Sequence, residues 1–288
     1  MLPIRFELPP NQPGVPALSL LARSSVVRSA LLVAIVMAWS GVVPALASAA
    51  SRSFTPSAAH AKPQASRGYD ISWPQCGSAY PSNPAFGIVG VNKGIVFSPN
   101  PCLASEIRWG GNAAAQLYAN TGNPGPALSS HWPKGQTSPR FCDPANADTA
   151  DCAFDYGYNA AADSYADAVA AYQSLGLAGT PAGTTWWLDV ETSNSWRSDT
   201  ALNVAALQGE VAYFTGTAHV ARLGIYSTGY QWGVIAGGSQ AFSAYQSWVA
   251  GVGNLKNAQS HCPGAGFTGG GVALAQYAYS GFDADLVC

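Results

Sequence analysis

From Gly68 onward the chain alternates short apolar runs with longer segments of helical periodicity, and no other feature narrows its fold so far. The strand-like runs are Gly68–Trp73, Phe86–Lys93, Ala115–Gly122, Thr184–Thr192, Leu223–Thr228, Tyr245–Val252 and Val272–Tyr279, most of them bounded by Gly, Pro or Asn. Between the third and fourth, Ala161, Tyr165, Ala168, Val169, Tyr172 and Leu175 recur at helical spacing, and Gly176 follows as a stop. Residues 199–220 predict a second helix with Leu202, Ala206, Leu207, Val211 and Phe214 on one face. Strand, helix, strand in repetition implies right-handed parallel crossovers. Residues 67–288 therefore read as one α/β domain, either a closed barrel of the (β/α)8 type or an open doubly wound sheet.

The acidic residues favour the barrel. Only 10% of the chain is charged, against about 25% in ordinary globular proteins, so each carboxylate has an informative position. Asp70 lies on the first strand, Asp189 and Glu191 on the fourth, and Asp283 and Asp285 at the end of the last. Side chains alternate along a strand, so Trp187, Asp189 and Glu191 share one face while Trp186, Leu188 and Val190 take the other. Acids in an otherwise apolar strand are costly unless hydrogen-bonded or open to a polar cavity. A closed barrel would gather all of them at the carboxyl ends of its strands, where barrels keep their reactive groups. We expect a single TIM-like barrel, irregular and stapled by disulfides. Glu106 and Glu210, the other two glutamates beyond residue 49, are expected on exposed helices. Asp189 and Glu191 could alternatively cap loops or pair with Arg197.

Composition excludes other classes. With 48% hydrophobic content the chain can bury a core, and a net charge of −2 without a basic run argues against a nucleic-acid partner. Arg5, Arg23 and Arg28 precede an apolar run from Ala30 to Val43 and small-residue exits near Ala47 to Ala49. This is the layout of a secretory signal peptide over residues 1–49, followed by a flexible lead-in at 50–66. No membrane association is expected after cleavage, and the exported protein is expected to act as a monomer. Six cysteines in an exported chain favour disulfides. Fifteen pairings are possible; the sequence-local set Cys76–Cys102, Cys142–Cys152 and Cys262–Cys288 is preferred because each closes a short segment. His60, His131, His219 and His261 are scattered and no C-x-x-C occurs, so neither a metal site nor a cofactor is expected. The G-x-G-x-x-G at Gly264–Gly269 follows Cys262-Pro263 and runs into a strand, the wrong context for a dinucleotide.

Clustered carboxylates ringed by Trp and Tyr suit acetal chemistry on sugars, because crowding raises the pKa of one acid and keeps its proton available. The motifs Gly68-Tyr69-Asp70-Ile71-Ser72, Asp189-Val190-Glu191, Gly224-Ile225-Tyr226-Ser227, Trp248-Val249-Ala250 and Gln276-Tyr277 with Asp285-Leu286 occur in an order that resembles the family 25 glycoside hydrolases, the lysozyme-type muramidases. The resemblance spans roughly Gly68 to Cys288. It implies that Glu191 donates the proton and that Asp189 steadies the substrate's N-acetyl group as that group attacks the anomeric carbon. It further implies that Asp70, Tyr226 and Asp285 line the site. Trp187, Trp248 and Gln276 are candidate substrate contacts. Asp285 is preferred over Asp283 for the closing position because Leu286 follows it. The implied partner is cell-wall polysaccharide, namely peptidoglycan or a related N-acetylhexosamine polymer. Asn92-Lys93-Gly94 lacks the acid usual on the family's second strand, and Tyr118-Ala119-Asn120-Thr121 replaces its Y-H-F strand. These departures leave open a non-catalytic cell-wall glycan-binding protein on the same barrel.

Overall fold

A computed structural model describes residues 67–288; the expected export segment and lead-in lie outside the described residues. Eight strands close a barrel in chain order: β1 Arg67–Ile71, β2 Gly87–Gly90, β3 Gln116–Asn120, β4 Thr185–Asp189, β5 Arg222–Ser227, β6 Gln246–Val249, β7 Val272–Tyr279 and β8 Phe282–Val287. The connections carry α1 Leu103–Trp109, α2 Ala150–Ser174, α3 Thr200–Ala212, α4 Gly229–Ala236 and α5 Leu255–His261. Each of the seven expected strands falls on one of β1 to β7. The second expected helix is α-helical only to Ala212 and then loosens into a π-helical turn at Tyr213–Thr217.

The barrel departs from a regular (β/α)8 arrangement at its closing strand. β1 to β7 pair in parallel, whereas β8 is antiparallel to both β7 and β1. The cause is the turn between Tyr279 and Phe282, where Ser280 and Gly281 both take left-handed backbone conformations, with φ of 53° and 81°. Two residues with positive φ make a tight hairpin, while a parallel return would need a crossover of a dozen residues or more. The sequence reading ended its strands at Tyr279 and so missed β8.

Strand alternation separates two apolar environments. Trp186, Leu188, Leu117 and Ile225 point outward into the core shared with the helices. There Trp186 packs on Phe214 at 4.7 Å between ring centroids, and its indole N–H donates to the Pro181 carbonyl at 2.8 Å. Inside the barrel, Ile88, Trp187, Trp248 and Leu274 fill the lower part, with Tyr118 and Tyr226 against them. The pair α2 and α3 approach until backbones touch. A Cβ on Gly157 would lie 1.9 Å from the Ala206 carbonyl oxygen, and one on Gly209 would lie 1.9 Å from that of Phe154. Only glycine permits this approach. The disulfides are Cys76–Cys102, Cys142–Cys152 and Cys262–Cys288, the sequence-local set. No helix among the described residues is long and apolar enough to cross a membrane.

Candidate active site

β4 delivers two carboxylates to one end of the barrel. Asp189 is its last residue and is buried; Glu191 stands two residues further on and is half-buried. With Asp70 of β1, Tyr226 of β5, Trp248 of β6 and Gln276 of β7 they line a cavity of about 160 Å³ at the carboxyl ends of the parallel strands. Tyr118 of β3 and Asp283 of β8 complete the wall. Six of the eight residues expected at the site are thus brought together.

Trp187 and Asp285 are not among the lining residues, for two different geometric reasons. Trp187 shares a face with Asp189 but precedes it by two residues, which places it about 7 Å deeper along the strand. Its indole packs against Trp248, and its N–H donates to Gln116 Oε1 at 2.8 Å. The sequence favours Asp285 over Asp283 for the closing position because Leu286 follows it, and strand direction overturns that choice. Because β8 runs antiparallel, the earlier residue is the outer one. Asp283 pairs in register with Asp70 and is exposed, whereas Asp285 pairs with Gly68 and is fully buried. Trp248 Nε1 donates to Asp285 Oδ1 at 2.8 Å, so the indole caps that acid from above. Glu106 and Glu210 are likewise not on exposed faces: both are buried, at 0% and 1% exposure. Arg197 pairs bidentately with Asp148, at 2.6 and 2.8 Å, and with neither Asp189 nor Glu191.

Sequence reasoning missed Tyr118 and Asn120, and it set Asp283 aside in favour of Asp285. The signal for the first two was the alternation of Gln116, Tyr118 and Asn120 with apolar Leu117 and Ala119, which turns a polar face inward on β3. Asn120 Nδ2 donates to Asp189 Oδ2, and the Thr121 hydroxyl donates to the Asp189 carbonyl at 2.6 Å. Asp189 Oδ1 is buried without a partner. Across the mouth, Gln276 Nε2 donates to Asp70 Oδ2 at 3.0 Å, and the Tyr226 hydroxyl donates to Gln276 Oε1 at 2.9 Å.

No basic side chain lines this cavity, so the carboxyls hold protons more tightly than usual. Burial, then the charge of Asp283, pushes Asp70 up to about 7, opposed by the Gln276 amide. Burial, then the charges of Glu191 and Asp70, raises Asp189 well above the carboxylate range, with Asn120 opposing. Glu191 is raised chiefly by burial and also by Asp283, while Gln231 and Ser193 favour its charged form. Burial and Asp70 raise Asp285 strongly. Such a cluster titrates as a unit and retains protons near neutrality. Among the described residues no group of three or more His, Cys, Asp or Glu side chains is arranged to hold a metal ion.

Residues 143–261 match the family model described as lysozyme-like protein 1. Over that stretch, less than half of the chain, the sequence is similar to that family. The matched segment carries Asp189, Glu191, Tyr226 and Trp248, with Asp70, Gln276 and Asp283 outside it. Among solved structures, a muramidase from Trichobolus zukalii is similar at 19% identity and a TM-score of 0.43, over 78% of this chain and 94% of that one. A bacterial lysozyme from Streptomyces coelicolor is similar at 15% identity and a TM-score of 0.44, over 78% and 93%. A muramidase from Acremonium alcalophilum is similar at 16% identity and a TM-score of 0.41, over 77% and 93%. No curated protein sequence matches the chain.

Proposed function

We propose that the protein is an exported glycoside hydrolase acting, as a monomer, on peptidoglycan or a related N-acetylhexosamine polymer. The observation that carries this reading is the unpartnered Asp189 Oδ1 in a cavity walled by protonatable carboxyls. A buried carboxylate oxygen without a donor is costly, and the N–H of a substrate acetamido group is a donor of the right kind. With that bond made, Asp189 turns the acetamido oxygen toward the anomeric carbon. Glu191, half-buried and raised in pKa, gives its proton to the leaving glycosidic oxygen as the acetamido oxygen forms its bond to carbon. The Glu191 carboxylate then takes a proton from the water that opens the cyclic intermediate, with retention at the anomeric centre. Such assistance by the substrate is an accepted exception to catalysis by two carboxylates alone. Three disulfides and the amino-terminal Arg-rich and apolar segment support export.

The test is reducing-end release from peptidoglycan by purified protein beside Glu191→Gln. Release by the wild type, reduced at least 1,000-fold in the variant, upholds the reading. Equal behaviour on peptidoglycan and on other N-acetylhexosamine polymers overturns it. Retention on cell-wall material by both proteins without release would identify a glycan-binding barrel instead.

A further inference from the structure

A second pocket, of about 260 Å³, opens beside the carboxylate cavity and plays no part in the chemistry above. It is larger than the roughly 150 Å³ that accommodates a benzene ring. Its floor is continuous with the catalytic loops: Thr121, whose hydroxyl holds the Asp189 carbonyl, and Asn194, whose N–H donates to the Glu191 carbonyl at 3.1 Å, both line it. Its outer wall comes from the irregular segment between β3 and α2. That segment is fastened by the Cys142–Cys152 disulfide, the Arg197–Asp148 pair, and Asn123 N–H donating to the Ser195 carbonyl at 2.7 Å. Phe97 sits in the wall with a left-handed φ of 57° and stacks on His131 at 4.2 Å. A non-glycine residue in that conformation persists only where its surroundings enforce it. At the rim, Leu128 is 81% exposed.

We infer that this pocket binds a flanking, uncharged N-acetylated sugar unit of the same polymer whose bond lies over Glu191. The inference rests on the glycan reading above but not on hydrolysis. Three observations select the occupant. The pocket is joined to the carboxylate cavity through the loops after β3 and β4, whose Thr121 and Asn194 hydrogen-bond the Asp189 and Glu191 carbonyls, so an occupant there sits next to the residues that would hold the scissile unit. Its lining contains no Asp, Glu, Lys or Arg, which disfavours a charged stem peptide. It combines aromatic and aliphatic faces with the hydroxyls of Ser129, Ser130 and Ser195, the mixture that suits a ring with apolar faces and a hydroxylated edge.

The experiment titrates soluble N-acetylglucosamine oligomers, from dimer to hexamer, into the Glu191→Gln protein by calorimetry, with and without His131→Ala and Leu128→Ala added. Both added positions are exposed, and thermal unfolding verifies that the fold is intact. The expected result is affinity that rises with oligomer length, and a hexamer dissociation constant about tenfold weaker, equivalent to about 1.4 kcal/mol, when the two side chains are removed. The dimer is expected to bind both proteins alike. Equal hexamer binding by both proteins, absence of oligomer binding, or a loss seen only with stem-peptide-bearing muropeptides overturns the inference. Length-dependent binding that the pocket substitutions abolish, in a wild type that releases no reducing ends, would retain the pocket and remove the hydrolase reading.

Discussion

Replacing Asn120 by Ala isolates the arrangement of Asp189 from every other element of the site. Asn120 is buried at the end of β3, and its side-chain amide is the hydrogen-bond donor to the Asp189 carboxyl. Its own backbone N–H is held by Asn92 Oδ1 at 2.9 Å, a contact the alanine keeps. A hydrogen bond to a charged group contributes about 1.5–3 kcal/mol. If Asp189 must be charged and oriented only when the acetamido oxygen attacks, that loss falls on the transition state. At about 1.36 kcal/mol per tenfold in rate, kcat should drop about 10- to 150-fold with KM within about twofold. The amide favours the charged carboxyl, so its removal raises the Asp189 pKa further and moves the acid limb of the rate profile to higher pH. Asn120→Asp adds a like charge and should lose more than the alanine variant. The assay is initial-rate reducing-end release between pH 4 and 8, with melting temperature measured in parallel. A kcat within twofold of wild type, with the acid limb unmoved, would refute the role given to Asp189.

Glu106 provides a pH test of stability. Asn100 Nδ2 donates to its Oε2 at 2.6 Å, and burial pushes its pKa from 4.5 to about 7. A raised folded pKa contributes stability that is fully present below about pH 4.5 and lost as the pH rises to about 7. Denaturation of Glu106→Gln should lack this decline and leave the variant about 2 kcal/mol more stable than wild type above pH 7, after allowance for partial solvent screening; parallel pH profiles would contradict the assignment. Gly209→Ala, whose Cβ would meet the Phe154 carbonyl, should cost about 1–3 kcal/mol in a denaturant midpoint. Gly233→Ala, on α4 with open space around its Cβ, should cost nothing and gain up to about 1 kcal/mol. Replacing Cys262 and Cys288 together by Ser should lower stability by about 3 kcal/mol, read as a fall in melting temperature without a change in the fold's circular dichroism at low temperature.

The strands from β1 to β7 were legible because a two-residue period in Val, Ile, Leu, Trp and Tyr is local information. β8 was not. Its alternating residues include two acids, Asp283 and Asp285, and its identity depends on the backbone sign at Ser280 and Gly281. The same reversal decided which acid reached the mouth. The short helices α1, α4 and α5 contain too few turns to show a period. Glu106 and Glu210 lay on helices, as the spacing indicates, yet tertiary packing covers them. Of the candidate site, the D-x-E pair and Asp70 could be found because charge is so scarce here. The pocket wall between β3 and α2 could not, since its geometry comes from turns, a disulfide and the Arg197–Asp148 pair, which have no period to read.

The hydrogen bond from Gln276 to Asp70 joins residues 206 positions apart, and β1 meets β8 across nearly the whole described chain. Contacts so distant in sequence form slowly, because a large loop must close before they bring any gain. The mouth therefore has no existence in a nascent or partly threaded chain, since Asp189 and Glu191 face Asp70 only after the ends of the sheet have found each other. Closure of the barrel is what assembles the site. Under the function proposed above, that order would keep the unfinished chain inactive during synthesis and export.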